Sequence, residues 1–542
     1  MLGCGTTAGP VAQTFGAFHG ADESRFLQQA VAAHTAAEKR TFNGAFEPGE
    51  DLFGQRTVLE GSVGGLPAAG GCESGHFILR EVDGAIIPFQ RKNPCIILFT
   101  SKTILKKRKR YQGGINLSMR IPFTHLDQKA WIRLAIFAVI GFYIAYIGAS
   151  VIKHNTFIGL GADMLAFWSA GKVADIQGFD YIYNIESLRA TQNAVLMTLG
   201  LSIEKANTIP APLPAFFLIP FQFLSRLSPV VAYWGFTFFS LIGSALYLWF
   251  FIKQMKVQSP TTISNSMLWL LMLFSYPIFQ NFFSGQVEIV HLICCGEFIR
   301  NSDKKKPFLA GLWLGGMLIK PQVLILIIPG LLLLKNWKVL YGFAVSSFVI
   351  LGASLALTGM DGMITMINLW LKYVPGIATN SPETMMNWRM IGIRLSEWIN
   401  SSAGWIIAIV GMLVTVLAVL LLIKSQPAFG SKQWFLIVFA LFAATCTVSW
   451  HSHVHMAMVL IPFIVYIKTA GYLQDRLLYS WVLIPPLLMI ITLVIEVILQ
   501  MVSIPPIYKM IAFVSGLCEF IFCLIFVAMV RHQLKSAGKQ MQ

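Results

Sequence analysis

The sequence predicts an all-α polytopic membrane protein, and three observations carry that prediction. Of its 542 residues, 56% are apolar and only 12% charged, and a mean hydropathy of +0.66 is far above what a water-soluble surface permits. The apolar residues fall in long runs of the kind that span a bilayer as helices, about 20 residues each. Between the runs stand short basic clusters such as Lys304 to Lys306, the mark of cytoplasmic loops. A soluble enzyme, a disordered chain and a disulfide scaffold are excluded, the last because eight cysteines are too few. The net charge of +16 would suggest nucleic acid only if the basic residues shared one soluble face. They do not, so no nucleic-acid partner is expected. Cys294 and Cys295, adjacent in an apolar run, read as buried thiols.

Residues 1–118 differ from the rest. They are rich in Gly, Ala and polar residues, and their one short apolar stretch, Cys95 to Phe99, is too brief to span a bilayer. This segment reads as a poorly structured N-terminal extension, with Lys106 to Arg110 either a solvated tail or a contact for anionic headgroups. Met119 opens a basic, amphipathic lead-in to the first membrane helix, which makes it a second reading of where translation starts.

The membrane domain is expected over 119–542. Apolar segments begin near Trp131, Pro210, Val230, Asn265, Gln286, Pro307, Pro321, Leu340, Ala403, Trp434, His453, Leu478 and Pro506. If all thirteen crossed, the basic clusters from Arg120 to Lys539 could not share one side. Pro210 to Ser225 is the segment expected to fail, because Pro210, Pro212, Pro214 and Pro220 break the helical ladder. A re-entrant Pro-rich segment and about 12 transmembrane helices follow, with both termini cytoplasmic. Two large extracytoplasmic loops, 153–208 and 359–402, then share the outer face with the turns at Gly285 and Lys320 and with Ser449 to His455. Polar groups from five separate segments gathered on one face mark the default place for a site.

Asp163 stands at the start of an expected amphipathic helix along the membrane surface, as a general base or simply as a helix cap. Trp168 and Tyr181 offer flat apolar faces for a sugar ring or for the interfacial aromatic belt. Lys320, in LIKPQ, and Arg389, in MMNWRMIG after Asn387, are cations on the outer face, against the positive-inside bias; they suit phosphate, or else snorkel or pair with a neighbouring loop. In TVSWHSHVHMAM, Trp450 precedes His451, His453 and His455; on a helix His451 and His455 would share a face and His453 would point elsewhere. No HExxH motif accompanies them, so phosphate binding is preferred to metal, and none is assigned. Gln286, Glu288 and His291 follow Gly285, and ionisable groups at membrane depth are functional candidates by default. No P-loop, dinucleotide fingerprint or GxSxG elbow follows residue 119. An enzyme on the outer face must then take an activated substrate already present there, and a lipid-linked one fits.

The ordered set GADMLAFWSAGK, IPAPLPAFFLIP, SGQVE, AGLWLGGMLIKPQ, MMNWRMIG and SWHSHVH resembles glycosyltransferase family 87, over roughly residues 130 to 500. The resemblance implies a GT-C-type membrane fold that uses a polyprenyl-phosphate sugar without a nucleotide or other cofactor. It implies that Asp163 is the catalytic base, that the family's Lys-Pro pair is Lys320 and Pro321, and that its Ser-Trp-His segment is Ser449, Trp450 and His453. This chain departs from the family pattern at Ala211, Pro212 and Leu213, and has Glu288 where Asn is frequent.

The function expected is transfer of a hexose, mannose foremost, from a polyprenyl-phosphate donor to a lipid or glycan acceptor at the extracytoplasmic face of a bacterial plasma membrane, by inverting single displacement. Lys320, Arg389 and His453 would hold the donor phosphate; Trp168, Tyr181, Gln286, Glu288, Asn387, Trp450 and His451 would contact substrate. The rival class is a transporter or flippase of a lipid-linked or small anionic substrate, against which stands the absence of an internal repeat.

Overall fold

The computed structural model describes residues 128–154, 157, 160–200, 208–255, 263–373, 382–501 and 510–540. The N-terminal extension, its basic run and Met119 lie outside the described residues. Those described fall in one compact unit and form seventeen α-helices joined by short 3-10 turns. In chain order they are α1 (Gln128–His154), α2 (Ala162–Ile176), α3 (Ile185–Thr198), α4 (Ile219–Leu224), α5 (Pro229–Gln254), α6 (Asn265–Leu273), α7 (Tyr276–Ser284), α8 (Ile289–Asp303) and α9 (Pro307–Gly315). There follow α10 (Ile327–Leu333), α11 (Trp337–Asn368), α12 (Trp388–Trp398), α13 (Ser401–Ile423), α14 (Lys432–Val448), α15 (Ile461–Thr469), α16 (Asp475–Met501) and α17 (Met510–Gln540).

Every apolar segment read from the sequence carries helix, but the helices are of two kinds. Six are long and apolar enough to cross a membrane by themselves, within α1, α5, α11, α13, α16 and α17; the pair α6 and α7, bent by 40°, would make a seventh. The others are short, and for two of them burial explains why. Every residue of α14 from Trp434 to Val448 is buried, as is all of α15. A helix surrounded by protein need not match the thickness of the lipid. A count of about twelve crossings therefore requires the short helices to cross as well.

The Pro-rich segment breaks as its residues dictate. Residues 209–214 are not helical, and only a ten-residue apolar helix, Ala215–Leu224, follows. The carbonyls that no helical ladder satisfies take side-chain donors instead: Gln192 Nε2 donates to Ile209 O at 2.7 Å, Tyr183 Oη to Leu213 O, and Trp370 Nε1 to Pro212 O.

Two expectations are corrected. The helix that begins at Ala162 with Asp163 in its first turn is not the amphipathic helix expected, with one face open: nearly every residue of α2 from Met164 to Ala174 is buried in protein. Its close partner is α4, and Gly171 makes the approach possible, since a Cβ there would stand 2.1 Å from the Phe221 carbonyl oxygen. The second outer loop is in good part helical. At Gly359 (φ 65°, ψ −179°) α11 breaks, and helix then resumes to Asn368 and a π turn, Leu369–Tyr373, before α12. That backbone conformation is open to glycine and strained for other residues.

Two large apolar clusters hold the bundle. One centres on α14 and α15 and includes Leu292, Met317, Met386, Met390 and Met456. The other packs α2 and α3 against the Pro-rich segment and includes Met164, Tyr233, Val287 and Ile319. The two clusters meet in the chain at two stretches, Val287 to Leu292 and Met317 to Ile319, each of which supplies a side chain to both.

Candidate active site on the seam between the two clusters

The site assembles from chain reversals. Helix α7 ends at Gly285, whose left-handed conformation (φ 71°) turns the chain back. Asn281 then fixes the turn: its carbonyl accepts from Gln286 N at 2.9 Å and its Oδ1 from Glu288 N at 3.0 Å. Lys320 sits between two 3-10 turns, Gly316–Ile319 and Pro321–Leu324, in an extended conformation (φ −140°, ψ 85°). Pro321 prevents the first turn from running on as helix, so the lysine leaves the helical path and enters the cluster.

Lys320 is the hub. Its Nζ donates to Gln286 Oε1 at 2.6 Å and pairs with Glu288 Oε1, whose carboxylate is fully buried. His455 Nε2 lies 3.4 Å from the same Nζ and 3.5 Å from Glu288 Oε1. Asp163 lies near enough that both Lys320 and the Gln286 side chain lower its proton affinity.

Asp163 is not the cap of α2. The N-cap is Gly161, with no side-chain cap bond, and Asp163 follows in the first turn. Burial raises its carboxyl above the ordinary aspartate value of 3.8, opposed by the nearby Lys320 and Gln286. A carboxylate with a raised affinity for a proton, near a cation, is equipped to accept one.

The opposite wall is the Trp450 to His455 segment with the start of α12. Residues 449–453 are not helical, and His453 is extended (φ −91°, ψ 163°). Extended backbone puts alternate residues on one side, so the three imidazoles form a row: His451 and His453 centroids are 4.9 Å apart, His453 and His455 5.6 Å. The helical spacing expected of His451 and His455, with His453 pointing away, is thereby corrected. Asn387 ties this wall to α12. Its Nδ2 donates to Ser449 O at 2.8 Å and Trp450 O at 3.2 Å, while its Oδ1 caps Met390 N at 3.0 Å. Arg389 is buried with its Cζ 4.7 Å from the centroid of the Trp450 ring, and Trp450 stacks on Trp405 at 6.0 Å. Burial, then His453, Lys320 and Arg389, hold His451 well below the ordinary imidazole value. It is neutral at pH 7 and can accept or donate one hydrogen bond.

The structure therefore links Asp163, Gln286, Glu288, Lys320, His451 and His453, with Asn387, Arg389 and Trp450 completing one wall. It turns the other two expected contacts elsewhere. Trp168 is buried and its indole donates to Leu227 O at 3.1 Å, while Tyr181 is half exposed on the 3-10 turn Phe179–Tyr181. Sequence reasoning passed over Asn281, which builds the turn, and gave His455 no role, although it touches both members of the central ion pair.

Several buried polar atoms around this cluster have no hydrogen-bond partner among the described residues: Glu288 Oε2, His291 Nδ1, Ser449 Oγ, His451 Nδ1 and Ser452 Oγ. Unsatisfied buried polar atoms are costly and rare in native proteins, and a group of them in one place is what a polar ligand site leaves when viewed by itself.

No curated protein matches the chain. The family model for glycosyltransferase family 87 matches residues 211–449, a stretch that contains Gln286, Glu288, Lys320, Asn387, Arg389 and Ser449; Asp163 precedes it and the three histidines follow it at once. The match covers less than half of the chain but takes in much of the polar cluster: residues 211–449 are similar to glycosyltransferase family 87, in a chain whose described residues include six helices long and apolar enough to cross a membrane.

Proposed function

We propose that the enzyme moves a hexose, mannose foremost, from a polyprenyl-phosphate donor to a hydroxyl of a lipid or glycan acceptor. The single observation that carries this reading is the Lys320 hub, held by Gln286 and Glu288, whose charge acts on a carboxyl with a raised affinity for a proton, Asp163. In the reaction the acceptor oxygen attacks the anomeric carbon from the side opposite the phosphate. Asp163 takes the hydroxyl proton as the new C–O bond forms, the bond from anomeric carbon to phosphate oxygen breaks, and polyprenyl phosphate leaves with the electron pair. Such a displacement inverts the anomeric centre. Lys320, Arg389 and His453 stabilise the charge on the departing phosphate, in surroundings of low dielectric where each contact counts for more. Gln286, Asn387, Trp450 and His451 are the remaining groups close enough to these to contact donor or acceptor; Glu288 acts through Lys320. No nucleotide and no metal enters the scheme.

The topology proposed with it has twelve crossings, the short helices α8, α9, α10, α14 and α15 included, with both termini cytoplasmic and the active site on the outer face of a bacterial plasma membrane. The basic clusters then all lie inside.

Purified protein incubated with a panel of polyprenyl-phosphate sugars and an acceptor should release polyprenyl phosphate, most readily from one sugar. Movement of a labelled lipid-linked sugar across proteoliposomes without such release would instead establish a carrier.

A further inference from the structure

Away from the site, a groove of about 460 Å³ opens between α13 and α17. Its walls are Val414 and Ala418 on α13, and Leu524, Val527 and Ala528 on α17. Its mouth holds Arg531, His532 and Lys535. On α17 these residues follow helical spacing, so Leu524, Ala528, Arg531 and Lys535 form one stripe that passes from apolar to cationic. The groove has a structural cause. Trp388 of α12 is wedged between the two helices: its Nε1 donates to Thr415 Oγ1 at 3.0 Å, and its ring meets Phe520 edge-on at 4.9 Å. Beyond this wedge the facing residues include two alanines, Ala418 and Ala528, too small to fill the gap.

The groove is distinct from the candidate active site. Gly516 of α17 approaches Met385, next to the Asn387 wall, so closely that a Cβ there would stand 2.5 Å from the Met385 carbonyl oxygen. From Gly516 to Arg531 the helix runs about 22 Å at 1.5 Å per residue. Since α17 has the length and composition of a spanning helix, the basic mouth sits near the membrane surface opposite the site. Among the described residues no carboxylate pairs with Arg531 or Lys535.

We propose that this groove binds an anionic glycerophospholipid, one acyl chain lying along Ala418, Leu524 and Ala528 and the headgroup phosphate held by Arg531 and Lys535. The apolar walls select a lipid over a soluble anion, and the paired cations select an anionic headgroup over a zwitterionic one. The proposal is independent of the sugar donor.

Full-length protein in detergent is titrated with phosphatidylglycerol and, separately, phosphatidylcholine, and retained lipid is counted by native mass spectrometry. Wild type should retain phosphatidylglycerol preferentially. The double substitution Arg531→Gln with Lys535→Gln should cut that preference by about thirtyfold, roughly fivefold per basic residue. Ala528→Trp, which fills the apolar wall, should abolish retention of the bound lipid with both cations still in place. Thermal unfolding in lipid-free detergent establishes that each variant is folded; should either fail, the milder Lys535→Gln must still lower the preference. Equal retention of both lipids by wild type would overturn the proposal. So would an unchanged preference in the variants, or displacement of the lipid by millimolar inorganic phosphate alone.

Discussion

Asp163 and Glu288 are both carboxylates beside Lys320, yet their surroundings assign them different work. Glu288 is fully buried and holds the ammonium directly; Asp163 is only half-buried and makes no ion pair with it, though it feels its charge. Replacing Asp163 by Asn keeps the shape and removes the base. Transfer should fall by about 10²- to 10⁴-fold, with donor binding little changed, as steady-state kinetics and a donor-binding assay would reveal. The pH dependence follows from the raised carboxyl. A base must be unprotonated, so the rate falls as pH drops through the folded pKa, and the acid limb of kcat/KM lies above the ordinary aspartate value of 3.8. The Asn variant should lack this limb. For stability the sign is reversed: the native carboxyl binds its proton more tightly than the unfolded one, so the contribution of Asp163 to stability is lost as pH rises from the unfolded value through the folded one. Lys320 and Glu288 make a separate prediction. Lys320→Met strands a buried charge and should cost about 3 to 5 kcal/mol, whereas Lys320→Met with Glu288→Gln should recover much of it. Thermal unfolding of the two variants in parallel measures the difference, and a double variant no more stable than the single one would argue against a working ion pair.

Among the elements, α2 was only half legible. Its start and its length are written in GADMLAFWSAGK, but an Asp in a first helical turn reads equally as a cap or as a reactive group until the N-cap is seen to be Gly161. Its burial was not legible, because the partner that buries it, α4, lies some fifty residues on and is itself a fragment of a broken segment. The same cause moved Trp168: the aromatic spacing was plain, but its direction is fixed by packing against Leu227. The histidine row failed for a more local reason, since the residues from Ser449 to His453 leave the helix and the relevant period is two, not 3.6. The prolines, by contrast, spoke clearly, because a missing amide hydrogen breaks a ladder whatever surrounds it. Gly171 tests the packing of α2. Gly171→Ala places a methyl against the Phe221 backbone, which cannot rotate away as a side chain would. Thermal stability should fall by about 1 to 3 kcal/mol, and activity should fall with it as Asp163 shifts; a fully stable, fully active variant would show that α2 and α4 pack more loosely.

At the scale of the whole molecule, hydropathy located the apolar helices, though not α3 or α12, and did not tell which of them meet lipid, because a run of apolar side chains is the same string whether lipid or protein surrounds it. Half-exposed apolar residues on α13, such as Leu413 and Val414, contrast with the complete burial of α14 next to it in the chain. The proposed topology is open to direct test. Cysteine introduced at Tyr181 should react with a membrane-impermeant maleimide in intact cells, and cysteine at Lys305 only after permeabilisation. Native Cys294, Cys295, Cys446, Cys518 and Cys523 are buried and should contribute little background. The reverse pattern of labelling would invert the orientation.

The polar cluster draws on residues as far apart in the chain as Asp163 and His455, with the hub supplied between them. During synthesis the base emerges first and the histidines almost three hundred residues later. On the proposed mechanism a growing polypeptide holds no complete centre until most of its helices have already left the ribosome, so a product cut short before the histidine row should be inert however well its earlier helices insert.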